Sequence, residues 1–186
     1  MFFIKRPNEN QITRFLLRAA ETDFTYAAHG ATEGTAPVGY RVDHNRIELG
    51  PHWESAKRAI REWKMFDFPW VDLCRPTTAI ETGSTVAILI RHFGFYSLNA
   101  ARIVYTIDEP DRFGFAYGTL TDHGESGEER FMVQRDGDGK VWYDLKAFSR
   151  PNHVFAKFGY PVVWMLQKQF AYDSKQAMFR AVRTIG

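Results

Sequence analysis

The strongest constraint on this chain is a change of period. From Thr77 to Ser149 apolar and polar side chains alternate, and the alternation is cut at Gly83-Ser84, Glu109-Pro110-Asp111, Asp122-His123-Gly124 and Asp136-Gly137-Asp138-Gly139. A period of two, interrupted by short turn signals, marks consecutive antiparallel strands. Six strands are predicted, at about 77–82, 84–93, 99–108, 112–121, 127–135 and 140–149, with links short enough for hairpins. A seventh, Tyr40 to Leu49, lies upstream, with a turn or bulge expected near Asn45. Outside these strands the period lengthens. Gly50-Pro51 opens a helix carrying Trp53, Ala56, Ile60 and Trp63 on one face. Pro151 to the C-terminus reads as one long helix striped by Phe158, Val162, Leu166, Phe170, Ala177 and Ala181, with Pro161 expected either to kink it or to mark where a short turn gives way to the main helix. Residues 8–21 form a shorter helix with Asn8 and Gln11 as its start signal. The stretch from Ala27 to Pro37 has no period and is expected to be a mobile loop.

An antiparallel sheet with one apolar face, followed by a long helix to cover it, is a two-layer α+β design. With 186 residues the chain is expected to be one compact domain, residues 1–37 forming a helical extension and loop and 38–186 the sheet and its helix. Hydrophobic residues make up 45% of the chain, enough for a core without staples, and 16 Phe make that core aromatic. Cys74 is the single cysteine, so no internal disulfide is possible and no Cys/His pair at catalytic spacing is present. MFFIKRPNEN lacks the apolar region of a secretory signal, and no apolar run reaches 18 residues. A membrane span is excluded, and a cytoplasmic setting is expected. Neither G-x-G-x-x-G nor a P-loop precedes a helix, so nothing implies a nucleotide or any other cofactor.

The stretch FGFAYGTLTDHGESGEERF (113–131), followed by FSRP (148–151), resembles a plant and bacterial domain-of-unknown-function family with the pattern F-x-Y-G-T-L…H…G-E-E-x-F…S-R-P. Tyr117, Gly118, Thr119, Leu120, His123, Gly127, Glu128, Glu129, Phe131, Ser149, Arg150 and Pro151 fall on it. The element order over about 38–184 also resembles the helix-grip fold of the START-like, pollen-allergen-like (SRPBCC) superfamily. The resemblance implies a curved seven-stranded antiparallel sheet wrapped around a long C-terminal helix, with an N-terminal helical extension and a ligand cavity inside. It implies no reaction.

Alternation sorts the strand residues into two faces. Phe113, Phe115 and Tyr117 share one; Glu129, Phe131 and Val133 follow on the next strand, then Val141, Tyr143, Leu145, Ala147 and Ser149; Val86, Ile88, Ile90 and His92 form the comparable set. If all face inward, His92, Glu129 and Ser149 are polar points on an apolar wall, joined by the hydroxyls of Tyr117 and Tyr143. Such a wall suits a small ligand. Phe115, Tyr117, Phe131, Tyr143, Leu166 and Phe170 would hold its apolar part; Glu129, Ser149 and Arg150 would orient its polar end.

Each assignment has a plain structural counterpart. Glu129 can pair with Arg102 or Arg150, Ser149 can cap the helix, and Arg150 can tie the loop to Glu128. His123, Glu128 and Glu129 are metal-ligand types, but they flank one hairpin with no second His, and no metal is expected.

The leading reading is a protein that binds a small hydrophobic or amphipathic molecule. A second is an enzyme of cyclase, dehydratase or hydrolase type with Glu129 or His92 as base and Tyr117 as proton donor. A third is a filled core in which the 16 Phe occupy the interior, Gly114, Gly118, Ala147 and Ala177 let the helix lie flush, and the basic helix serves protein–protein contact. Residues 150–186 carry a local excess of positive charge, Lys168, Lys175, Arg180 and Arg183 among them, which suits a solvated helix back, an acidic partner or an anionic membrane surface. Nucleic acid is not expected, because the aromatics belong to the inward face. The oligomeric state is left open.

Overall fold

The computed structural model describes residues 1–74, 79–121, 123–151 and 160–185, with the side chains of the last helix described from Trp164 to Thr184. The elements are β1 (Phe2–Phe3), α1 (Glu9–Ala20), β2 (Arg41–Gly50), α2 (Trp53–Arg61), a 3₁₀ turn (Lys64–Phe66), β3 (Val71–Cys74), β4 (Thr85–Arg91), β5 (Tyr96–Asp108), β6 (Arg112–Thr119), β7 (Glu125–Arg135), β8 (Val141–Pro151) and α3 (Tyr160–Ile185). The strands run in the order β2-β8-β7-β6-β5-β4-β3, every neighbour antiparallel, and β1 adds to the start of β5. The meander from β3 to β8 is the expected one, with β2 returning to pair with β8.

Both faces of the sheet are covered. On the convex face α1 lays Phe15, Leu16 and Ala19 over Ala87, Leu89, Leu98 and Ala100. The Asn8 side chain and the Gln11 side chain close a reciprocal capping box at the start of α1. On the concave face Val86 and Ile88 join the main core with α2, the 3₁₀ turn and α3. This double burial explains why the TVAILI run of β4 is apolar without a break.

The concave half of the fold near α2 is filled. Trp63 and Phe66 reach into the grip, with Trp63 4.8 Å from the Phe115 ring and Phe66 5.4 Å from Phe131 and 5.7 Å from Phe170. Trp63 has φ +56°, left-handed backbone that costs a bulky side chain about 1–2 kcal/mol. Its indole, 3% exposed against Phe115, offsets that cost.

Four sequence expectations are corrected. The first strand of the meander is Val71–Cys74; Ala79–Glu81 are not strand, and residues 77–78 lie outside the described residues. A period of two was too short to detect in VDLC, which is fixed by pairing Val71 with Ile90 and Cys74 with Ala87. β2 runs through Asn45 unbroken, and its bulge lies between Glu48 and Gly50, where Gly50 has φ +81°. α3 starts at Tyr160, while Pro151 ends β8. Pro161 is therefore in the first helical turn, where its missing N–H costs nothing and no kink follows. Phe158 and the side chain of Val162 lie outside the described residues.

The segment from Thr22 to Gly34 is tied down on the convex face. Phe24 bridges Leu120, the Thr25 N–H donates to Thr119 O at 3.0 Å, and Ser126 Oγ donates to Thr25 O at 2.8 Å. Gly118 is where this segment needs close approach: a Cβ there would collide with Tyr26 and Phe24. Gly118 thus serves the convex covering and not a flush fit of α3.

Candidate functional site

Strand register gathers the sequence motif into one end of three neighbouring strands. Tyr117 sits opposite Glu129, Gly118 opposite Glu128, Gly127 opposite Ser149 and Glu125 opposite Pro151. Successive residues of a strand point to opposite faces, so the motif splits. Tyr117, Glu129 and Ser149 belong to the concave face; Glu128 and Arg150 belong to the convex one.

Glu128 is 2% exposed and accepts four hydrogen bonds. Tyr26 Oη donates to Oε2 at 2.7 Å, as does the Gly30 N–H at 2.7 Å. The Thr32 N–H at 2.9 Å and the Thr32 hydroxyl at 2.5 Å share Oε1. Burial and this carboxylate together push the Tyr26 phenol far above its ordinary value. Next to it Arg130 donates to Asp144 Oδ1 at 2.7 Å and to Thr32 O at 3.2 Å. Glu128 therefore anchors the N-terminal segment, and the expected tie from Arg150 to Glu128 does not form. Arg150 lies with its guanidinium 4.6 Å from the Tyr40 ring, on the face opposite Ser149.

Among the described residues Glu129 receives one hydrogen bond, from Tyr117 Oη at 2.8 Å. Burial pushes its carboxyl from 4.5 up to about 7, the Tyr117 bond pulls it down in part, and Glu125 and Asp43 raise it further. The Tyr117 phenol is pushed up in turn by burial and by Glu129. Neither arginine considered as a partner is there: Arg102 donates to Ala19 O, Ala20 O and Thr22 O at the end of α1.

Above Glu129 the wall is polar. Ser149 Oγ donates to Glu125 Oε1 at 3.4 Å, and α3 delivers Gln167, whose Nε2 donates to Ser149 Oγ at 2.9 Å and also to Glu125 Oε1. Burial raises Glu125, and the Gln167 and Ser149 bonds oppose that rise. Ser149 thus joins the sheet to α3 and does not cap it. The Arg41–Asp43 ion pair at 2.7 Å borders this cluster, and Arg41 also lies 5.5 Å from the Trp164 ring.

Accessibility changes sharply along the concave wall. Phe115, Phe131 and Tyr143 are 0% exposed, and the Tyr143 hydroxyl is used by Ser174 at 2.8 Å. Glu125, Glu129, Ala147 and Ser149, and facing them Leu166, Gln167 and Phe170, keep part of their surface open. The aromatic floor is core, and the open part begins at the Tyr117–Glu129 level. Phe170 spans the boundary, 5.6 Å from Phe68 and 6.4 Å from Phe131.

His92 does not join this group. It follows β4, with β5 and β6 intervening before β7; its Nε2 is 2.8 Å from Ser97 Oγ and its ring stacks on Phe95 at 4.5 Å. Burial lowers its pKa. His123 likewise stays apart from Glu129. Its Nδ1 accepts the Glu125 N–H at 3.1 Å, and burial pulls the imidazole down to about 4. No group of three metal-ligand residues with suitable geometry exists among the described residues.

Sequence reasoning missed Glu125, Gln167 and Asp43. Glu125 carried a signal, lying four residues before Glu129 on the same strand face; Gln167 carried only its place beside Leu166. An open groove of about 710 Å³ also runs beside the 3₁₀ turn and β3, bordered by Glu62, Lys64, Asp67, Asp72 and Arg180. Its floor residues Trp63, Phe66, Phe68 and Val71 are each at most 8% exposed, so it offers a ligand little apolar surface.

Residues 25–177 match the family model of a domain of unknown function, DUF1990. The chain belongs to that family. A UPF0548 protein of Deinococcus radiodurans is 38% identical over 97% of this chain and 98% of its own length, and one of Dictyostelium discoideum is 35% identical over 98% and 96%. Among solved structures the fold is similar to that of Ara h 8.0201, with 13% identity, TM-score 0.52, and 78% of this chain and 99% of the other covered. A Thermus thermophilus protein aligns with TM-score 0.54 at 11% identity over 79% and 99%, and a Thalictrum norcoclaurine synthase with TM-score 0.50 at 12% over 81% and 98%. These likenesses establish for this DUF1990 chain the helix-grip architecture expected from its element order. No helix among its described residues is long and apolar enough to cross a membrane.

Proposed function

We propose that this protein binds a small amphipathic molecule between the sheet and the first half of α3. The observation that carries the reading is the Tyr117–Glu129 pair. A carboxyl with a pKa of about 7, and with a single donor among the described residues, stands where the aromatic core gives way to accessible wall. The apolar part of the ligand would lie against Tyr117, Leu166 and Phe170, and its polar end at Glu129, Ser149 and Gln167. Phe115, Phe131 and Tyr143 would support that wall from below. Burial of apolar ligand surface favours binding by about 25 cal/mol per Å² before association costs. With its carboxyl raised to about 7, Glu129 has both protonation states within reach near neutral pH, so it can donate to an ester or carbonyl oxygen or accept from a hydroxyl or amine.

The same pKa favours a second reading, in which Glu129 acts as general acid or base and Tyr117 positions its proton. The pair is matched to neutral pH without a metal or cofactor being invoked.

The test is native mass spectrometry of the protein as purified from cells, followed by extraction and identification of what is bound. A co-purifying amphipathic compound that returns to the extracted protein, and returns at least roughly tenfold more weakly to Glu129→Ala, supports the reading. A protein that stays empty and gives no thermal shift with fatty acids, isoprenoids or aromatic amines overturns it. Turnover of the bound compound by the wild type, lost in Glu129→Gln, selects the enzymatic version.

A further inference from the structure

One end of the sheet carries an apolar surface that the ligand reading does not use. The β4–β5 hairpin turns through Phe93 and Gly94, the latter with φ +84°, and leaves Phe93 105% exposed. β1 pairs Phe2 with Ser97 and Phe3 with Tyr96, which brings the N-terminal strand beside the same hairpin. Phe3 turns inward under α1, while Phe2 and Ile4 point the other way and are 72% and 86% exposed. Phe2 meets Phe95 edge-on at 6.0 Å, and Ile4, directly after β1, and Phe93, in the hairpin turn, stand exposed as well.

The α3 start lies at this end too. Ala101 pairs with Thr119, so the start of β5 extends past the end of β6; Gln167 of α3 meets Glu125 and Ser149 at the ends of β7 and β8. There Trp164 and Met165 are exposed, with Lys168 3.7 Å from the Trp164 ring. The charge around the hairpin platform is basic: Lys5, Arg6 and Arg91 flank it, and Asp72 is engaged with Arg6 at 2.7 Å. Lys5 and Arg91 have no ion pair among the described residues.

We infer that this end of the molecule, led by Phe93, Ile4 and Phe2, docks on an anionic lipid bilayer surface. A lone exposed ring needs no explanation, but three large apolar side chains exposed together on one hairpin tip and the N-terminal segment paired beside it do. Such side chains partition into the bilayer interface, where aromatic rings are favoured. Each nearby Lys or Arg adds attraction to anionic headgroups over about a Debye length. The basic stripe of α3 is a poorer candidate. Lys175 donates to Asn45 Oδ1, Arg180 to Asp67 O, and Arg183 lies 4.0 Å from the Phe179 ring.

The experiment is co-sedimentation of the full chain with vesicles of phosphatidylcholine alone and of phosphatidylcholine with about 30% phosphatidylserine, at two salt concentrations. It needs no ligand, so its result is independent of the reading of Glu129. Binding to the anionic vesicles, weakened by salt, is expected. The double variant Phe93→Ser/Ile4→Ser should lose roughly tenfold or more in partitioning, while its unchanged melting temperature shows that the fold is intact. Lys5→Glu/Arg91→Glu should bind less tightly and with a weaker dependence on salt. The inference is overturned if the wild type ignores anionic vesicles or if Phe93→Ser/Ile4→Ser binds as the wild type does. It is overturned equally if light scattering shows a dimer that this variant splits, since the platform would then face a second copy of the chain.

Discussion

Glu128 and Glu129 are neighbours on β7 and stand on opposite faces of one sheet. On the convex face Glu128 meets four donors from residues about a hundred positions away in sequence, which replace the water its carboxyl loses on burial. On the concave face Glu129 meets, among the described residues, one donor and two further carboxylates, and burial pushes its pKa to about 7. A buried carboxylate is tolerated when hydrogen bonds replace its water, and it holds a proton when they do not. The difference separates an anchor from a group kept ready for a ligand.

The contrast can be broken first at Glu128. Glu128→Ala leaves the Gly30 and Thr32 N–H groups and the Tyr26 and Thr32 hydroxyls without their acceptor, and a loss of about 4 kcal/mol in chemical denaturation is expected. A loss under about 1 kcal/mol would mean that the N-terminal segment holds on without it.

Glu129→Gln should act in the opposite direction, and with pH. The folded protein binds the Glu129 proton more tightly than the unfolded chain, so this group's contribution is complete below pH 4.5. It is lost as pH rises through about 7. The glutamine variant has no such loss. It should match the wild type near pH 4.5 and exceed it by about 2 kcal/mol at pH 8, a value reduced from the full linkage because Glu129 is partly exposed. Burial of His123, which pulls its pKa to about 4, weakens the fold as pH falls below 6.5, but it does so equally in both proteins and cancels from their difference. A pH-independent difference would contradict the burial assigned to Glu129.

Tyr26→Phe removes one donor from Glu128 and should cost about 1.5–2 kcal/mol, less than the loss of the carboxylate itself. The smallest change is expected from Tyr117→Phe, under about 1 kcal/mol at pH 5, where Glu129 is protonated. Its signature is a titration of Glu129 moved above about 7, read by carboxyl-resolved NMR. An unmoved titration would show that Tyr117 does not hold the carboxylate.

Much of the fold was readable from local periodicity. The alternation from β4 to β8, the Asn8–Gln11 capping signal and the α3 stripe each depend on residues a few positions apart. VDLC was too short to show a period, and Pro161 looked like an interruption until the helix start was known. At the site, alternation was enough to place Tyr117, Glu129 and Ser149 on one face, but Arg150, expected to act with them, is set on the other by the structure, against Tyr40. It failed for His92, which lies beyond the last paired residue of β4, where Ser97 and Phe95 hold it.

The amino-acid order alone determined most of the strands and helices, Val71–Cys74 excepted, and which residues of those strands share a face, because these follow from backbone geometry over two to four residues. Only the tertiary structure decided that Trp63 and Phe66 fill half the grip, that Tyr26 and Thr32 claim Glu128, and that Gln167 reaches Ser149. Those outcomes depend on which distant side chain arrives to replace lost water. Tyr26 and Glu128 are 102 positions apart, and no local pattern records their meeting.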